Sequence, residues 1–239
     1  MLSPTAIRWA AVPLGLLAFG LRVLAETWWS EVAFRSFDRS YYLLATLSGL
    51  LAAGAVPFGI LLVLTRGDRR PAAFERRPGR LVAPTSPVFA SGMAIMIMYL
   101  SAGLVNHGTV GRGDDRRVVV DLDHWTTVAV GVCWLFAVGF LLLRRPVAVL
   151  DAHGVTVKRL WTVNVLAWHD LLPGGPASPT RRRPASLRVY RNAAPVPGPY
   201  LPSVDIPVSL LHIDAAYLAD TIRYHVDHPD ERATIADPG

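Results

Sequence analysis

The chain has 239 residues, a formal charge of +6 and a single cysteine, Cys133, which excludes an intramolecular disulfide and a cysteine-based zinc site. The positive excess is carried by arginine, since Lys158 is the only lysine. These arginines gather beside long apolar runs, a pattern that membrane topology explains without any nucleic-acid partner.

A helix needs roughly 17–25 mostly apolar residues to cross the hydrocarbon core, because each backbone amide must be satisfied within its own segment. Four segments qualify, at about residues 9–25, 41–65, 88–105 and 125–143. The first carries Arg22 near one end, with Trp28 and Trp29 just beyond it, so the arginine is expected to snorkel toward an aromatic interface belt. Arg8 ahead of an apolar stretch also fits a signal peptide, but the exit from Val23 to Trp29 is a poor small-residue cleavage site, which favours a retained helix. The second and fourth segments hold no charged side chain and open on Tyr41, Tyr42 and Trp125. In the second, Gly49 and Ala53, then Ala55 and Gly59, are spaced for close helix approach and read as packing within one bundle, while Pro57 is a tolerated kink site. The third is also uncharged, with Met93, Met96 and Met98 adding bulk without polarity.

Orientation follows from the connections. The stretch between the second and third segments holds Arg66, Arg69, Arg70, Arg76, Arg77 and Arg80 against Asp68 and Glu75, which assigns it to the cytoplasm. Residues 26–40 and 107–124 balance their arginines with carboxylates and fit the outer side. Four crossings then put the N-terminus and everything after Arg144 and Arg145 inside, so the expectation is a multi-pass plasma-membrane protein with a transmembrane region over residues 1–145.

Residues 146–230 read as a small cytoplasmic α+β domain, with 231–239 as a tail. Val147 and Val149 alternate with their neighbours, Asp151-Ala152-His153-Gly154 supplies turn chemistry, and Val155 and Val157 alternate again: a hairpin. A third strand falls within Trp161–Trp168, with Val163, Val165 and Ala167 on one face, and a fourth holds Leu187, Val189 and Arg191. A fifth holds Val204, Ile206 and Val208, where Pro207 confines it to an edge or a bulge. A helix capped by Asp214 follows the stripe Leu211, Ala215, Leu218, Ile222 and Val226, spaced by three or four until Pro229 ends it. The Pro- and Gly-rich connections 173–185 and 192–203 are expected to be mobile.

The run Val149-Leu150-Asp151-Ala152-His153-Gly154-Val155-Thr156-Val157-Lys158, followed by Ala167-Trp168-His169-Asp170-Leu171, resembles the bacterial pleckstrin-homology-like (PH-like) domains of actinobacterial membrane proteins. The segment from Ala216 to His225, with His228-Pro229-Asp230-Glu231-Arg232, resembles their final helix. The resemblance covers about residues 146–233 and implies a bent antiparallel sheet with a C-terminal capping helix, without catalysis. Four spans depart from the shorter anchors of some members.

Arg181, Arg182 and Arg183, together with Arg66, Arg69, Arg70, Arg76, Arg77 and Arg80, are candidates for contact with anionic lipid head groups, each contributing about 1 kcal/mol near the surface. His225 and His228 lie three apart beside Asp227 and Asp230, but no further ligand follows by spacing, so a metal is not expected. His153 reads as a turn residue, His169 as a surface neighbour of Trp168, and Trp168 as core. No phosphate loop, carboxylate pair or nucleophile with a base is identifiable, so neither enzyme activity nor a cofactor is expected. The functional expectation is a non-enzymatic scaffold or regulator whose PH-like domain engages a protein partner or the inner membrane face. The alternative is a component of a transporter or lipid-processing system, with Thr46, Ser48, Tyr99 and Ser101 as polar span residues and the tail regulating them. Topology reporters inserted after Arg35 and Gly113 should read as external and those after Gly79 and Gly239 as cytoplasmic; any two adjacent sites reading alike would remove a span between them.

Overall fold

The computed structural model describes residues 3–66, 70–110, 117–121, 123–142, 146–179, 184–192 and 203–235. The chain forms two compact units: Met1–Asp68 with Pro87–Leu143, and Arg69–Ser86 with Arg144–Gly239.

The first unit is helical. Ser3 accepts a hydrogen bond from the Ala6 amide at 3.1 Å and Pro4 occupies the first helical turn, so α1 (Pro4–Leu24) begins with a capped end and a pre-set φ. It continues through a π-helical turn, Ala25–Trp29, into α2 (Ser30–Ser36), giving 33 helical residues where the sequence indicates a span of 9–25. Next come α3 (Arg39–Thr65), which runs unbroken through Pro57, then α4 (Pro87–Ser101) with a 3-10 turn at Ala102–Leu104, and α5 (His124–Leu142). Four of these helical segments, Pro4–Ser36, Tyr41–Thr65, Pro87–Leu104 and His124–Leu142, are long and apolar enough to cross a membrane. Ala11, Ala18, Ala90 and Ala94 are fully or almost fully buried among Ile7, Ile95, Met98 and Leu141. Small side chains at the helix contacts let backbones approach closely, while large ones such as Leu51, Leu135 and Phe136 point outward, the inverse of a water-soluble bundle.

The second unit holds a five-stranded antiparallel sheet. Its strands are β1 (Glu75–Arg77), β2 (Arg80–Ala83), β5 (Val147–Asp151), β6 (Gly154–Lys158) and β7 (Val163–Ala167), in the spatial order β1-β2-β5-β6-β7. The first two strands come from the stretch that the sequence reading leaves as a loop. Between β2 and β5 in sequence, within the first unit, β3 (Asn106–Val110) and β4 (Arg117–Asp121) pair as a hairpin where a loop is also expected. A separate two-stranded sheet joins β8 (Leu187–Tyr190) to β9 (Ser203–Ile206), with Pro207 just past the end of β9.

Local chemistry fixes the β5–β6 turn. Asp151 Oδ1 accepts from the amides of His153 and Gly154 at 2.8 and 3.0 Å, and the Trp168 indole donates to the Asp151 carbonyl at 2.9 Å. The core face is then Ala83, Ala148, Leu150, Val155, Val157 and Leu166, closed by α6 (Ala215–Asp227) through Leu218, Ala219 and Ile222. Asp214 caps α6 by accepting from the Ala216 and Tyr217 amides. Val163 and Val165 do share a face of β7, but it is the exposed one, because Leu166 takes the core position.

Residues 173–179 are tied down rather than free. Arg223 donates to the carbonyls of Gly174 and Pro176 and to the Ser178 hydroxyl. The remainder of that connection, 180–183, and residues 193–202 lie outside the described residues.

A methyl group placed on Gly154 would lie 2.1 Å from the Leu166 carbonyl oxygen across the β6–β7 ladder. Gly154→Ala should therefore weaken the sheet unit by about 1–3 kcal/mol. Hydrogen exchange at Val155 and Val157 in the detergent-held chain checks this: unchanged protection would mean the ladder tolerates the extra carbon.

Candidate functional site

In the helical unit a part-buried polar cluster centres on Arg22. Its Nε bonds Glu26 Oε1 at 2.8 Å, Nη1 donates to the Tyr99 carbonyl at 3.3 Å, and the guanidinium sits 4.7 Å from the Tyr99 ring centroid. The two charged side chains are 18% and 15% exposed, so the arginine is paired within its own helix and largely covered by α4. A partner one helical turn away in sequence makes this arrangement cheaper than an extended, desolvated chain. Gly103 makes room, since a Cβ there would lie 2.4 Å from Arg22 Nη2. Glu26 falls in the π-helical turn, an irregularity that re-aims side chains.

Neighbouring polar groups are used for helix ties. Tyr99 Oη donates to the Leu50 carbonyl at 2.8 Å, linking α4 to α3, and the Trp29 indole donates to the Ala45 carbonyl at 2.7 Å. That indole lies over Gly49, where a Cβ would meet it at 2.2 Å, so the Gly49 and Ala53 spacing serves intrachain packing. Thr46 and Ser48 return their hydroxyls to the α3 backbone, and Ser101 bonds the Met98 carbonyl while accepting from the Trp134 indole. An open apolar groove of about 480 Å³ runs between α1 and α3, lined by Leu21, Trp28, Trp29, Gly49, Ala53 and Val56.

The sequence-selected arginines separate by role. Arg76, Arg77 and Arg80 share the β1–β2 hairpin, where Arg77 and Arg80 stand opposite one another across a turn that Gly79 completes at φ +70°. Glu75 offsets one of these charges through Arg77 at 3.1 Å, leaving a net positive tip. Arg70 is spent internally, donating to the Val208 and Ser209 carbonyls at 3.0 Å each. Arg66 belongs to the end of α3 in the other unit. Arg69, Arg181, Arg182 and Arg183 lie outside the described residues.

The C-terminal histidines are packing elements. His225 is buried against the rings of Trp168 and Tyr224, and burial lowers its pKa from the ordinary imidazole value. His228 stacks on Tyr224 at 4.5 Å. Arg232 covers the Trp168 ring and donates to the carbonyls of His225 and Val226, satisfying the end of α6. His153 is exposed in its turn, and His169 is 84% exposed beside Asp170. Among the described residues no group of three or more His, Cys, Asp or Glu side chains comes together as a metal site.

Trp161 opens the third-strand run in the sequence but carries no functional expectation there. Trp161, in the turn between β6 and β7, is 94% exposed, with Val163 and Val165 exposed beside it. The signal is present as Lys158-Arg159-Leu160-Trp161, a basic pair followed by an apolar pair running from the end of β6 into the turn.

Removing one member of the Arg22–Glu26 pair strands a charge in apolar surroundings. Arg22→Ala should cost about 3 kcal/mol, and adding Glu26→Ala should recover most of it. Thermal unfolding of both variants in one detergent checks this; equal loss in the single and double variants would mean the pair does not carry the coupling. Compared with known proteins, the chain matches no family model, no curated protein and no solved structure.

Proposed function

We propose that this chain is an integral membrane protein of the plasma membrane, crossing four times, whose PH-like sheet unit is a cytoplasmic docking module, a non-enzymatic scaffold or regulator. One observation carries the reading: β2, from between the second and third apolar helices, pairs with β5, which follows the fourth. Strands in one sheet share one solvent, so the helices between them must cross an even number of times, and α4 and α5 are two. The arginine bias independently favours the cytoplasm for that side. A five-stranded sheet closed by α6 agrees with the PH-like resemblance.

The docking chemistry favoured by this reading is acidic. Arg76, Arg77 and Arg80 concentrate positive charge on one hairpin, suited to an anionic head group or an acidic protein surface. A transporter or lipid-processing role finds support only in the Arg22–Glu26 pair, because charged groups within spans commonly mark substrate paths. The mutual neutralisation of that pair, and the bonding of Thr46, Ser48 and Ser101 to helix backbone, favour the structural role.

The test places the full chain in zwitterionic nanodiscs, adds anionic vesicles, and in parallel photo-crosslinks from position 76 in cells. Either vesicle binding or a crosslinked acidic partner is expected. Replacing Arg76, Arg77 and Arg80 by Gln should weaken that binding roughly 100-fold, at about 1 kcal/mol per arginine. Neither vesicle capture nor any crosslink would contradict a docking role.

A further inference from the structure

The sheet has two chemically different ends. Arg80 pairs with Asp151, so the basic β1–β2 turn and the β5–β6 turn share one end. At the other end Ala83 pairs with Ala148 and Val147 with Lys158, and Lys158 in turn pairs with Val163 across the β6–β7 turn. Ala83 and Val147 are the strand residues through which the sheet is joined in sequence to α4 and α5. The turn carrying Trp161 therefore stands at the end of the sheet from which both connections to apolar helices leave.

That turn is built to hold its tip out. The Arg159 amide donates to the Thr162 carbonyl at 2.7 Å, closing it, and the Arg159 guanidinium is anchored on the Asp205 carbonyl of β9. Trp161 projects with 94% of its surface free, and Val163 and Val165, both more than half exposed, extend the apolar strip along the edge strand β7. Lys158, half-buried next to them, has no ion-pair partner among the described residues. In water such a strip is a liability: apolar side chains on a sheet edge invite association. An indole at the tip, aliphatic side chains behind it and a cation beside it are the composition of segments that lie in the head-group layer of a bilayer.

We infer that the β6–β7 hairpin is a membrane-interface anchor: Trp161 inserts into the head-group layer of the bilayer that the same chain crosses, with Val163 and Val165 following it and Lys158 reaching lipid phosphate. The occupant is a lipid surface rather than a second copy, because the strip lies at the sheet end joined to the apolar helices, where a bilayer is always at hand, and tethering raises the effective concentration of that surface. This rests on the membrane reading above and adds an orientation to it. The Trp161 end faces the lipid, which turns the Arg77 and Arg80 end, about 13 Å away along β6 at roughly 3.3 Å per residue, toward the cytosol.

The experiment uses the full chain with Cys133→Ala, carrying a single fluorescent label at Trp161→Cys, His153→Cys or Arg77→Cys, in nanodiscs containing anionic lipid. Quenching by lipids brominated near the head group is compared with quenching by aqueous iodide. All three positions are exposed or half-exposed, so the label displaces no core side chain. The expected result is lipid quenching at position 161 at least about twofold above that at 153 and 77, with iodide access reversed, as a shallow interfacial residue requires. Iodide access at 161 equal to that at 153 would overturn the anchor; lipid quenching at 77 in that case would leave the docking reading standing with the opposite face down, and its absence there would count against membrane docking as well. Shielding of 161 from both quenchers would also overturn it, because a protein surface, such as a second copy paired on β7, would then cover the strip.

Discussion

Everything in this molecule is constrained by the ladder between β2 and β5, in which Arg80, Leu81, Val82 and Ala83 face Asp151, Leu150, Val149 and Ala148. The two strands lie on either side of a pair of long apolar helices in the sequence. Backbone hydrogen bonding across that interval makes the sheet unit discontinuous in sequence, with two long apolar helices inserted between its paired strands. Without the ladder, Leu81 and Ala83 would lose their place in the core, and the basic hairpin would be a loose connection.

The two units solve opposite solvation problems. In the sheet unit the large aliphatic side chains Leu150, Leu166, Ile206, Leu218 and Ile222 are fully buried. In the helical unit alanine fills the contacts and leucine, valine and phenylalanine cover the outside, an arrangement that suits an apolar surrounding. Arg22 fits this picture because Glu26 and the Tyr99 ring compensate its charge locally.

The apolar helices were legible because length and absence of charge are local properties of a run of residues. So were the β5–β6 hairpin, through Asp151 and Gly154, and α6, through Asp214 and its apolar stripe. The strands β1 and β2 were not. Glu75, Arg76, Arg77 and Arg80 carry no apolar alternation, and their strand character comes from pairing with a segment far along the chain. The internal use of Arg70 was hidden for the same reason: its acceptors are carbonyls 138 and 139 positions away. On β7 the alternation is visible in the sequence, but valine at 163 and 165 masks which face the core takes. Leu166 decided it, and the exposed strip that results is what singles out Trp161.

The most direct measurement introduces Arg80→Cys and Asp151→Cys into the full chain with Cys133→Ala, and oxidises it in intact membranes. Paired antiparallel residues hold their Cα atoms about 4.5–5.5 Å apart, within disulfide range. An intramolecular bridge is expected in chain that stays in the membrane fraction until detergent is added. A membrane-held chain that never bridges, or a bridged chain recovered as a monomer in detergent-free buffer, would contradict it.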